Sequence, residues 1–134
     1  MTCRYSYCSN LAAITFSNSV TSIGGNVFHE TKWYWSHSNE LIYAGSVLYG
    51  FKGSMPENTK IDIKEGTTAI APDAFNSLNQ HIGGLDYSRL KSITIPESVK
   101  NIGNNAFSGC KGLTTITIPN SVTSIGAYAF TDCI

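Results

Sequence analysis

Charge is what this chain has least of. Charged residues make up 13% of its 134 residues, about half the roughly 25% of an ordinary soluble domain, and nine Lys plus Arg balance nine Asp plus Glu. No charge-driven grip on nucleic acid or an anionic membrane is therefore expected. Long apolar runs are also missing. No stretch approaches the roughly 18 apolar residues of a membrane span, and residues 1–20 lack a basic start followed by an apolar run, so neither membrane insertion nor a signal peptide is legible. None of the 11 Asn residues opens an Asn-x-Ser/Thr sequon, which speaks mildly against a glycosylated eukaryotic exterior.

Catalytic and metal motifs are absent as well. His29 and His37 have no Cys or carboxylate at zinc-ligand spacing, and no His-Glu-x-x-His, paired Cys-x-x-Cys or calcium-loop string occurs. No Gly-x-Ser-x-Gly and no phosphate-cradling Gly loop is present. His29 beside Glu30 reads as a solvated pair at a corner, not as a base with its orienter. The expectation is a non-enzyme with no cofactor and no metal.

What the chain has instead is small neutral polarity: 16 Ser, 13 Thr, 11 Asn and 12 Gly do the solvating. That bias suggests repetition, and repetition is found. Residues 90–110 superimpose without a gap on residues 113–133, each equivalent residue lying 23 positions on. The same frame fits Cys8 to Thr31 through Leu11, Ile14, Phe16, Val20, Ile23, Gly24 and Phe28. A weaker copy runs through Ile61, Ile63, Ile70, Ala74 and Phe75 over residues 58–78. The excess spacing places one insertion at about residues 32–57 and a shorter one at about 79–89.

One unit reads as follows. Ile116 and Ile118 alternate with Thr117, the period of a strand with one buried face, and Pro119 stops that strand because it cannot donate to a ladder. Val122 and Ile125 begin a second extended piece, Gly126 permits a tight bend, and Ala-Tyr-Ala-Phe turns Phe130 inward. Such a unit buries too little to fold alone. Stacking at the roughly 4.8 Å spacing of neighbouring strands aligns Ile14, Ile61, Ile93 and Ile116 in one ladder and Phe28, Phe75, Phe107 and Phe130 in one column. The expected fold is mainly β with short helical turns: a single solenoid domain built on a parallel β ladder, about 23 residues per rung, interrupted by a β-hairpin.

The string Leu-x-x-Ile-x-Ile-Pro-x-Ser-Val-x-x-Ile-Gly-x-x-Ala-Phe-x-x-Cys, carried nearly throughout by Leu90–Cys110 and Leu113–Cys133, resembles the BspA-like (Treponema-type) leucine-rich repeat. The copy at Leu11 departs at Ser17, Val27 and Thr31. The copy at Ile61 departs at Asn58, Lys64, Thr67, Ala71 and Leu78. The segment Trp33-Tyr34-Trp35 followed by Glu40–Gly53 is similar to one that often interrupts these arrays. The resemblance implies a bacterial cell-surface or secreted protein, and an adhesin contacting a host matrix or cell-surface protein. A repeat family specifies a scaffold and not an activity.

Two surfaces are candidates for recognition. The insertion holds Trp33, Tyr34, Trp35, Tyr43, Tyr49 and Phe51, six of the 15 aromatics, with a hairpin expected around Ala44-Gly45-Ser46. These aromatics suit a protein hot spot, a sugar ring, or simply packing back over the rungs. The second is the outward strand face carrying Thr94, Thr115 and Thr117, a hydroxyl row that a solvated strand also prefers. A spacer that merely presents other domains is the reading from another class.

Two points concern ends and thiols. Residues 1–8 read as the tail of an earlier repeat and no polar cap is visible, so a longer array or end-to-end self-association is expected. Cys110 and Cys133 occupy equivalent positions, close enough for a disulfide, yet read better as small core residues; Cys3 and Cys8 pair locally or stay free.

Overall fold

The computed structural model describes residues 8–17, 19–77 and 86–133. Two sheets run through it. The first has the order β3-β5-β7, where β3 is Thr59–Asp62, β5 is Leu90–Thr94 and β7 is Thr115–Thr117. The second has the order β1-β2-β4-β6-β8, with β1 at Glu40–Ala44, β2 at Val47–Lys52, β4 at Ala69–Ile70, β6 at Asn101–Ile102 and β8 at Ser124–Ile125. The one α-helix among the described residues is α1, Lys32–Trp35.

The first sheet is parallel throughout and in the expected register, Ile61 opposite Ile93 and Ile93 opposite Ile116. Each strand ends before its proline: β5 at Thr94 ahead of Pro96, and β7 at Thr117 ahead of Pro119. In the second sheet Ile70, Ile102 and Ile125 align in the same way, one rung apart. The bends stack too. Phe75 N–H donates to Ala106 O at 2.6 Å and Phe107 N–H to Ala129 O at 2.8 Å, so backbone pairing continues beyond the strands.

One bend position is left-handed in every copy: Asn26 (φ 64°), Asp73 (φ 61°), Asn105 (φ 56°) and Tyr128 (φ 58°). Asn and Asp tolerate this region because their short side chains bond locally. Tyr128 has no such excuse, and its backbone is strained.

The main core lies between the sheets. Phe75, Phe107 and Phe130 form a stack with ring centroids 5.4 Å apart and planes 5° from parallel. Tyr87, in a 3-10 turn at Tyr87–Arg89, meets Phe75 edge-on at 5.6 Å. Leu48, Leu90, Val99 and Ile102 close the space around them.

The copy at Cys8–Thr31 departs from expectation. Ile14 is not in the first ladder, and Phe28 is not in the phenylalanine column. Both pack in a second cluster with Phe16, Ile23, Trp33, Ile42, Ala44, Val47 and Tyr49. No strand forms among the described residues of this copy. The physical reason is occupancy. The hairpin β1-β2 lies next to β4, where the preceding repeat would have to lie: Val47 and Leu48 pair in parallel with Ala69 and Ile70. Leu78, expected in the cysteine column, and the insertion residues up to 85 lie outside the described residues.

Candidate functional site

The hairpin begins from a small capped helix. Thr31 Oγ1 accepts Tyr34 N–H at 3.1 Å and caps α1, while the Lys52 ammonium donates to His37 O just beyond the helix. Gly45, at φ 62°, makes the two-residue turn with Ser46. A side chain there would also press on Phe16, whose Cβ lies 3.0 Å from where a Cβ would stand.

The two faces of the hairpin serve different cores. Leu41, Tyr43, Leu48 and Phe51 pack into the main core, whereas Ile42, Ala44, Val47 and Tyr49 pack into the second one. A bulge between Ile42 and Tyr43 adjusts the alternation. The insertion is thus a shared wall.

This decides where the candidate aromatics stand. Trp33, Tyr34 and Tyr49 are buried. Trp33 meets Phe16 at 5.7 Å and Phe28 at 5.2 Å, both edge-on. The Tyr49 hydroxyl accepts Phe28 N–H at 2.9 Å and lies 2.7 Å from His29 Nδ1, and burial holds its phenol well above the ordinary tyrosine range. His29 is therefore not a solvated corner residue. Its ring stacks on Tyr34 at 4.6 Å.

Tyr43 is half-buried, and its hydroxyl accepts Lys64 N–H at 3.0 Å while Lys64 Nζ sits 4.8 Å from the ring centroid. Trp35 alone of the tryptophans is open to solvent, 64% exposed, with Lys52 Nζ 4.9 Å from its ring. The five candidate aromatics do not form one open surface.

The first sheet does present a continuous outer face. Its columns are Lys60, Ser92 and Thr115, then Asp62, Thr94 and Thr117, paired rung to rung. Thr94, Thr115 and Thr117 are all exposed, as are Lys60 and Asp62. The face is charged over β3 and purely hydroxyl over β7. Sequence reasoning had missed Lys60 and Asp62, whose position opposite Ser92 and Thr94 follows once Ile61 is aligned with Ile93.

A shallow groove of about 410 Å³ crosses the outside of the second sheet, floored by Ala69, Ala71, Gly103 and Gly126. Packing inside the array explains this floor. A Cβ at Gly103 would run into the Pro72 backbone and one at Gly126 into Asn104.

The thiols are structural. Cys110 and Cys133 are free; Cys110 Sγ donates to Phe75 O at 3.1 Å and Cys133 Sγ to Phe107 O at 3.0 Å, each reaching back one rung. Burial pushes the Cys110 thiol far above its ordinary value, so it stays protonated and unreactive near neutral pH. Cys8 is disulfide-bonded, and Cys3 lies outside the described residues. Among the described residues no group of three or more His, Cys, Asp or Glu side chains could hold a metal ion, and no helix is long and apolar enough to cross a membrane.

With the stacked rungs in view, comparison with known families is decisive. The model of the BspA type leucine rich repeat region matches residues 2–35 and 84–134, in six copies. The chain belongs to this family. No curated protein and no solved structure matches it. The BspA type match passes over residues 36–83, which hold both the hairpin and the copy carrying β3 and β4. That copy nevertheless takes its place in both ladders. The family is in general a non-catalytic interaction module, typically associated with surfaces.

Proposed function

We propose that this chain is a segment of a leucine-rich-repeat solenoid that acts as an adhesion module, secreted or on a bacterial surface, and binds a host matrix or cell-surface protein through the outer face of its first sheet. The observation that carries this reading is the pair of outward columns, Lys60-Ser92-Thr115 and Asp62-Thr94-Thr117, exposed except at the half-buried Ser92 and held in register by the strand pairing. Their low charge suits many weak contacts acting together, so affinity should rise steeply when modules are linked. A binding assay against matrix proteins tests it. Thr94→Arg with Thr117→Arg should abolish capture and leave the melting temperature unchanged; retained capture would move the site elsewhere.

One observation favours a second reading. Trp35 is exposed beside Lys52, an arrangement that suits a sugar ring stacked on an indole. A glycan array discriminates: sugar binding lost in Trp35→Ala supports it, and an array without hits removes it. If both assays are blank, the chain is a spacer that presents other domains.

A further inference from the structure

Resting on that reading of the first sheet's outer face as a binding surface, we propose that Lys60 and Asp62 set its specificity: they select an extended protein segment that carries a carboxylate and a cationic side chain two residues apart.

In each of the four copies legible in the sequence, two residues flank the isoleucine of the first ladder. The pair is Ala13 and Thr15 at Ile14, Ser92 and Thr94 at Ile93, and Thr115 and Thr117 at Ile116. Only at Ile61 is it charged, and there it carries both signs, in Lys60 and Asp62. Solvation does not require this. Thr115 and Thr117 hold the equivalent positions in water with hydroxyls alone.

Charges nearby are engaged within the fold. Arg89 Nε lies 3.1 Å from Glu57 Oε1, and Lys64 Nζ rests 4.8 Å from the Tyr43 ring centroid. Among the described residues, Lys60 and Asp62 form no ion pair with each other or with a third residue, and their side chains make no hydrogen bond. Both are exposed, and their neighbours across the sheet are the uncharged Ser92 and Thr94. The two columns hold no other charge.

These features choose the partner. Residues two apart on a strand face the same way and stand about 6.6 Å apart along it. An extended segment laid along β3 repeats that spacing, so its carboxylate can meet Lys60 while its cation meets Asp62. A segment with two like charges would be attracted at one position and repelled at the other. Exposed ion pairs contribute weakly, so this pair discriminates between partners, while the hydroxyl columns and the linkage of modules supply the hold.

A dense array of Ser/Thr-rich peptides, each centred on Glu-Thr-Lys, Lys-Thr-Glu, Glu-Thr-Glu, Lys-Thr-Lys or Thr-Thr-Thr and probed with the full chain, tests this. At low salt one of the two mixed orders should be retained about tenfold better than its reverse and than the like-charged peptides. That preference should vanish near 1 M salt, where the screening length falls to about 3 Å. Lys60→Asp with Asp62→Lys keeps the net charge and should reverse the preferred order. Lys60→Thr with Asp62→Thr copies the uncharged rung at β7 and should erase the preference at an unchanged melting temperature. Equal retention of both orders, retention of no peptide, or an unreversed preference in the swapped variant would overturn the proposal. Adhesion is read separately by the matrix assay. Capture that is lost in Thr94→Arg with Thr117→Arg but untouched by the swap would keep the adhesive face and overturn the role of Lys60 and Asp62. An order preference on the array without capture of any matrix protein would support the charge selection and remove matrix proteins as the partner.

Discussion

The repeat at Cys8–Thr31 and the repeats after Asn58 have nearly the same pattern and different fates. Both form the same turn: Val20 N–H donates to Ser17 O at 3.1 Å, as Val99 does to Pro96 O at 3.1 Å and Val122 to Pro119 O at 3.2 Å. Only the later copies form ladders. A turn closes over a few residues and needs nothing beyond its own sequence. A parallel ladder needs a neighbour in register, and the hairpin occupies that place for the first copy. Local chemistry thus survives an insertion, whereas the pairing that depends on the adjacent rung does not.

Two truncations compare the cores most directly. Phe107→Ala removes the middle of the stacked phenylalanines and should cost about 4 kcal/mol, while Trp33→Ala opens the second cluster for about 3 kcal/mol. Denaturant titration measures both. Because the hairpin is a wall of each core, calorimetry should show one transition in either variant; two separated transitions would mean that the cores are independent.

A smaller effect of opposite sign is expected at Thr67. It stands where the other copies have Val20, Val99 and Val122, and its buried hydroxyl has no hydrogen-bond partner. Thr67→Val should stabilise by about 1 kcal/mol, since an unpaired buried hydroxyl costs on the order of 1–3 kcal/mol. No gain would mean that the Thr67 hydroxyl is satisfied in solution.

The left-handed bend gives a similar test within the regular array. Tyr128→Asn restores the residue found at Asn105 and Asn26 and should stabilise by about 1 kcal/mol, read as a raised melting temperature. Smallest is Trp35→Ala, which should stay within about 0.5 kcal/mol because the ring is open to solvent. A larger loss would place Trp35 in the packing together with Trp33.

Much of the array was legible in the residues. The spacing of 23, the isoleucine alternation and the prolines located β5, β7 and their register. Cys110 and Cys133 read correctly as packing residues, the first buried in the core and the second half-buried against it, since their thiols bond backward to Phe75 and Phe107 instead of to each other. The hairpin was legible as a hairpin, but its burial on both faces was not recognised. The signal was there: Leu41-Ile42-Tyr43-Ala44 and Val47-Leu48-Tyr49 are continuous apolar runs, as in strands covered on two sides, and not the alternation of a protruding ribbon. Nothing in the composition of Trp33-Tyr34-Trp35 distinguishes the buried Trp33 from the exposed Trp35. Their places on a four-residue helix do.

By itself, then, the sequence determined the rung: its turns, its inward residues, its neutral polar exterior and its length. These follow from local backbone preference and from the cost of leaving isoleucine and phenylalanine in water. Only the tertiary structure decided which rungs meet and that the insertion became a wall between two cores. Those outcomes depend on what lies alongside each strand, and a strand's own residues do not specify its neighbour.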